Sequence, residues 1–189
     1  MLRLVLTVTI ICVLAGVLLA GVNALTEDRI AGVNRDKKLE AIEEVLPPCD
    51  NQPGVNTTVV QHAGRDWTFF VARKDGDFAG AAVETSSAAG YGGDISLMLG
   101  INAQNETQAI EILGQKETPG LGANIESPDF RKHFAGKNLA SSKWSVKKDG
   151  GEIDQITAAT ISSRAVTEAV KAAIDAYLAN VDAIKDTGR

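Results

Sequence analysis

Three regimes of hydrophobic and polar positions follow one another along the chain. From Leu4 to Ala24 the residues are dominated by Leu, Val, Ile and Ala, and no charge stands between Arg3 and Glu27. A helix of that length crosses a hydrocarbon core of about 30 Å. Beyond it Ile30, Val33, Leu39, Ile42 and Leu46 recur on one helical face until Pro47-Pro48 stops the pattern. Residues 49–58 read as a connecting loop, and then strand-like runs take over: Thr57–Gln61, Trp67–Arg73, Phe78–Thr85 and Ile95–Ile101. Asp75-Gly76 predicts a hairpin turn between the second and third. Gln108–Leu113 reads as a further strand, although its Ala and Glu also suit a short helix. Ser127-Pro128 opens like a helix, with the serine as cap and the proline in the first position. Trp144–Lys148 reads as a short strand ended by Asp149-Gly150. In the last regime Val166, Val170, Ala173, Ile174, Tyr177, Leu178 and Val181 fall three and four apart. That spacing predicts one long helix, capped by Ser162 or Ser163 and unbroken before Gly188. Strands gathered ahead of helices predict an α+β domain of antiparallel strands with flanking helices. The expected division is an anchor over 1–26, a helical stalk over 27–48 and a single domain over 49–189.

Val22-Asn23-Ala24 also fits a signal-peptide cleavage site. The apolar run is longer than a usual signal core, however, and a helical pattern follows it directly, so the reading here is a retained anchor. Its orientation is not set by charge. Arg3 precedes the span while Arg29, Arg35, Lys37 and Lys38 follow it, so a literal positive-inside count places the domain in the cytoplasm. With 19 basic and 24 acidic residues and no basic block, the chain is not expected to bind nucleic acid. Cys12 lies in the apolar span and Cys49 in a loop, so no disulfide framework is expected, and His62 and His133 stand without ligand partners at metal-binding spacing.

The residues that carry chemistry are glycines and hydroxyls. Gly90, Gly92 and Gly93 surround Tyr91, and Gly120 and Gly122 surround Leu121. Such loops bring backbone close to a planar ligand and offer N–H groups to anions. Neither loop is a dinucleotide fingerprint or a phosphate-cradling Walker loop. A Gly-x-Ser-x-Gly elbow is also missing, and no catalytic site is expected. Thr160 ends the run Thr157-Ala158-Ala159-Thr160 just ahead of the last helix, where unpaired amides and the helix dipole favour a phosphate. The plainer reading is a hydroxyl-rich helix cap on a non-redox, membrane-anchored binding module.

Asp154-Gln-Ile-Thr-Ala-Ala-Thr160 resembles the flavinylation signature Asp-x-x-[Ser/Thr]-Gly-Ala-Thr, whose last threonine holds FMN through a phosphoester. Ala158 stands where that signature usually has Gly; the methyl costs about 1 kcal/mol at most, and only if the backbone there needs positive φ. Gly90–Gly100, Glu117-Thr-Pro-Gly-Leu-Gly122 and Trp144–Gly151 match the same family in the same order. Nearly the whole chain resembles the G-type subunit of the Rnf-type ion-translocating electron-transport complex. The resemblance implies an extracytoplasmic FMN-binding domain over 49–189, covalent FMN on Thr160, and electron relay inside a membrane complex. It also implies other membrane subunits and a flavin transferase as partners, in a single-pass inner (plasma) membrane protein whose N-terminus is cytoplasmic. Cofactor contacts are expected from Tyr91, Glu117, Thr118, Gly120, Leu121, Gly122, Asp154, Thr157 and Ala159, with Thr118 donating a hydrogen bond and Leu121 packing on the ring. Asp154 would shape the acceptor loop or be recognised by the transferase. Trp144 is a second stacking candidate, and Lys116 and Arg164 are candidate counter-charges. The nearest alternative is the C-type subunit of the sodium-pumping NADH:quinone reductase, which shares the flavin domain.

Overall fold

A computed structural model describes residues 2–188. Helix α1, Leu2–Val45, runs unbroken for 44 residues, about 66 Å at about 1.5 Å per residue. That is more than twice a hydrocarbon core, and the helix is long and apolar enough to cross a membrane. The described residues divide between Lys37 and Lys38 into two compact units.

The second unit is built on a five-stranded antiparallel sheet in simple order: β1 (Thr57–His62), β2 (Arg65–Lys74), β3 (Asp77–Ser87), β4 (Ile95–Asn102) and β5 (Thr107–Gly114). Each of the five strands expected between Thr57 and Leu113 is present. Asp75, at φ 53°, and Gly76, at φ 84°, make the β2–β3 turn, the positive pair a two-residue hairpin requires. Gln108–Leu113 is strand because Ile110 and Ile112 alternate inward; the fifth strand then follows by register, with Leu99 opposite Ile110 and Leu97 opposite Ile112.

Both faces of the sheet are covered. On one, Phe69, Val71, Ala81, Val83, Leu97, Leu99 and Ile101 pack in a core with helix α3, Thr160–Ala179, through Val166, Val170, Ala173, Ile174 and Tyr177. Thr85 Oγ1 donates to the Ala169 carbonyl at 3.1 Å and fixes the helix on the strand. On the other face small residues make room for the end of α1. Ala41, Ile42, Val45 and Leu46 pack on Phe70, Ala72, Ala82 and Met98. A Cβ at Gly100 would collide with the Val45 carbonyl, so glycine is what lets backbone lie on strand. Lys38 pairs with Glu84 at 2.5 Å on this face.

Three sequence expectations change. Trp144–Lys148 is not a strand: it makes one parallel bridge, Val146 to Ile153, and continues as a 3-10 turn over Lys147–Asp149. Gly150, at φ 82°, reverses the chain, and Gly151 lies against the Ser145 carbonyl, so the segment pairs with its own return leg. The last helix is interrupted at Asn180, whose Nδ2 donates to the Ala176 carbonyl at 3.0 Å and caps α3 before α4, Val181–Asp186. Arg73, buried in β2, donates to the carbonyls of Lys185 and Thr187 at the end of α4 and ties it to the sheet. The third change concerns the start of α3.

Candidate cofactor-binding site

Helix α3 begins at Thr160, with Ala159 as its cap residue and no side-chain cap. Neither Ser162 nor Ser163 caps it; both are buried in the first turn. Ser163 Oγ accepts the Ile156 N–H at 3.0 Å and donates to the Ala159 carbonyl at 3.0 Å, which draws the incoming loop over the helix end. Ala158 adopts φ 62° in that loop. This is the left-handed region that a glycine enters without steric cost, which explains why glycine suits the position; here the methyl stays and the strain is on the order of 1 kcal/mol. The first amides of a helix have no intrahelical acceptor. With alanine as the cap residue they are left to whatever enters beside Thr160.

What they face is a cavity of about 550 Å³, lined by Tyr91, Glu117, Thr118, Leu121, Gly122, Ala158, Ala159, Thr160, Ile161 and Ser162. Three segments distant in sequence thus meet at one helix end. Tyr91, Leu121 and Ile161 are exposed apolar side chains at this cavity, 72%, 45% and 47% accessible. A planar aromatic ligand would cover such surface at little desolvation cost.

Glu117 joins the three segments. Its side chain is buried. One carboxylate oxygen accepts the Gly92 N–H at 3.0 Å and the other accepts from the Ser162 hydroxyl at 2.7 Å. The surrounding glycines clear its path: a Cβ at Gly90 would lie 2.7 Å from Glu117 Oε1, and one at Gly122 would strike Oε2. At Gly92 a Cβ would collide with the Lys116 carbonyl. Both glycine loops are therefore fitted around one buried carboxylate. The sequence reading missed Ser162 as its partner; the available signal was a small hydroxyl two residues after Thr160 in a helix start.

Other expected site residues lie elsewhere. Gly120 takes φ 75° to turn the loop and Thr157 is exposed; neither lines the cavity. Asp154 does not close an Asx-type turn. It pairs with Lys147 at 2.7 Å and approaches His133 at 3.6 Å, and the Lys147 hydrogen bond holds its carboxyl below the usual range. Arg164 is committed to Asp149, with Nε–Oδ2 at 2.5 Å and Nη2–Oδ1 at 2.8 Å, and is absent from the lining, as is Lys116. Trp144 is half-buried against the core and donates to the Leu139 carbonyl at 3.0 Å. Among the described residues no group of His, Cys, Asp or Glu is placed to hold a metal.

The sequence profile of an FMN-binding domain matches residues 90–175, a span that takes in every residue lining the cavity. The G-type subunit of the ion-translocating oxidoreductase complex of Pseudomonas aeruginosa is 39% identical over 86% of this chain and 82% of its own length. The chain belongs to that G-type subunit family. The Stutzerimonas stutzeri member is 35% identical over 90% of this chain and 78% of its own length, and that of Haemophilus influenzae 33% over 85% and 82%. In fold, the chain is similar to the C-type subunit of Na(+)-translocating NADH-quinone reductase from Parabacteroides distasonis, with a TM-score of 0.60 at 20% identity over 84% of this chain and 97% of that one. NqrC from Shewanella oneidensis gives 0.54 at 18% identity, over 70% of each. The cavity suits the flavin of the matching domain: a phosphate would lie on the uncapped helix start and the ring against Tyr91, Leu121 and Ile161.

Proposed function

We propose that this chain is the membrane-anchored FMN carrier of an ion-translocating electron-transport complex, holding FMN by a phosphoester to Thr160 and relaying electrons through it. The observation that carries the reading is the placement of Thr160. It is the first residue of a helix without a side-chain cap, it lines a cavity wide enough for a ring system, and it ends a flavinylation-like signature. Bound FMN would supply reversible electron transfer; the chain supplies attachment, orientation and electrostatics. The first-turn amides of α3 bind the phosphate. Glu117 and Ser162 keep the glycine loops closed against the helix. Tyr91, Leu121 and Ile161 cover the ring while leaving it near the surface, where another protein of the complex reaches it. Family membership favours the G-type reading over the C-type alternative, because the likeness to the sodium-translocating reductase rests on fold at 20% identity. Flavin transferase attaches the cofactor, and the domain stands outside the cytoplasm.

The relay reading is tested in the assembled complex. Thr160→Ala is expected to leave the other subunits in place and to abolish electron transfer from reduced ferredoxin through the membrane. The isolated flavinylated chain is expected to be reduced and reoxidised by artificial dyes without oxidising NADH. Undiminished transfer in the flavin-free complex, or rapid NADH oxidation by the isolated chain, contradicts the proposal.

A further inference from the structure

Glu117 is the single charged residue lining the cavity, and no Lys, Arg or His lines it. Its side chain is buried, with 6% of the residue accessible, and no salt bridge reaches it among the described residues. Its partners are one backbone amide and one serine hydroxyl, both neutral. A closing latch needs only hydrogen bonds, and a neutral side chain could make them. Burying an uncompensated carboxylate is costly, and glycines at 90 and 122 keep the space it occupies clear. We infer that Glu117 sets the reduction potential of the bound flavin, holding it low with a fixed negative charge in the wall of the ring-binding cavity. The inference rests on the FMN reading above.

The physical argument is electrostatic. Two electrons from a reduced partner and one proton from solvent turn the neutral oxidised ring into an anion. A fixed anion in a partly desolvated cavity disfavours that added charge, and with no cation in the lining nothing local offsets it. The Ser162 hydroxyl and the Gly92 amide point dipoles at the carboxylate, so they soften its field and hold it in place. Glu117 is thus a positioning and tuning residue.

The test uses the full chain in detergent, made together with its flavin transferase, and reads the flavin midpoint potential by dye-equilibrated titration with dithionite. Glu117→Gln removes the charge at almost unchanged shape and is expected to shift the potential upward. Glu117→Asp retains the charge and is expected to stay closer to the parent value than Gln does. Should the Gln variant carry no flavin, Ser162→Ala decides the matter: it keeps the carboxylate but removes a softening dipole, and the potential is expected to fall. A flavin-loaded Gln variant with an unchanged or lowered potential overturns the inference. So does a Ser162→Ala variant whose potential rises or stays fixed. Failure of the underlying reading looks different, since the parent protein itself would then show no flavin fluorescence after denaturation.

Discussion

Ala158 shows how a single backbone angle separates a sequence signature from its physical cause. At φ 62° it occupies a conformation that costs an L-residue about 1–2 kcal/mol, against which glycine loses about 0.5–1 kcal/mol of chain entropy on folding. Ala158→Gly is therefore expected to raise stability by up to about 1 kcal/mol with flavin loading retained, whereas Ala158→Val, branched at Cβ, loses stability relative to both. Urea unfolding of the three proteins in detergent checks the order; a glycine variant less stable than the parent contradicts the strain account. Thr160 and Glu117 could be singled out from the sequence because they sit inside short motifs. The role of Ser162 could not, because its meaning lies in a 2.7 Å hydrogen bond to a residue 45 positions away. Asp154 was legible as a motif residue but not in its behaviour: its ion pair with Lys147 depends on the reversal at Gly150, which local pattern does not reveal.

Among the elements, the strands of the sheet were readable because β2, β3 and β4, covered on both faces, are short apolar runs bounded by turn residues, whereas Trp144–Lys148 carries a similar pattern without a partner strand. The break at Asn180 was not, since apolar spacing continues through Val181 and Ile184, and only the side-chain cap on Ala176 marks the end. Helix α3 is held to the sheet by Tyr177, whose ring lies 6.0 Å from that of Phe69 and whose hydroxyl donates to Asn105 Oδ1 at 3.1 Å. Burial pushes its pKa up to about 12 from the ordinary value of 10.0. The unfolded chain thus releases this proton first. The stability is fully present below pH about 10 and is lost as pH rises towards 12, on the order of 2 kcal/mol after allowance for solvent screening. Tyr177→Phe is expected to cost about 1 kcal/mol at neutral pH through the lost hydrogen bond, yet to lose less stability between pH 10 and 12. Thermal unfolding across that range checks it; parallel alkaline losses in the two proteins contradict it.

On the scale of the whole molecule, a site with a buried carboxylate and no lining cation is poorly suited to hold a free dianionic phosphate tightly. The proposed covalent link would remove the dependence on affinity, and helix α1, long and apolar enough to cross a membrane, would keep the carrier beside it. The charge pattern around the span and the topology that the resemblance implies point in opposite directions, and the proposed orientation is the latter. A cysteine placed near Lys185 is expected to react with an impermeant thiol reagent in intact cells, and a C-terminal reporter active only outside the cytoplasm is expected to be on. A protected thiol with a silent reporter reverses the orientation. The central claim is the bond itself. Make the full chain with its flavin transferase, denature it, and look for flavin fluorescence in the gel band. The account predicts a fluorescent band for the parent, at least partial fluorescence for Thr157→Ala and none for Thr160→Ala. A fluorescent Thr160→Ala band, or a flavin-bearing peptide that excludes Thr160, contradicts it.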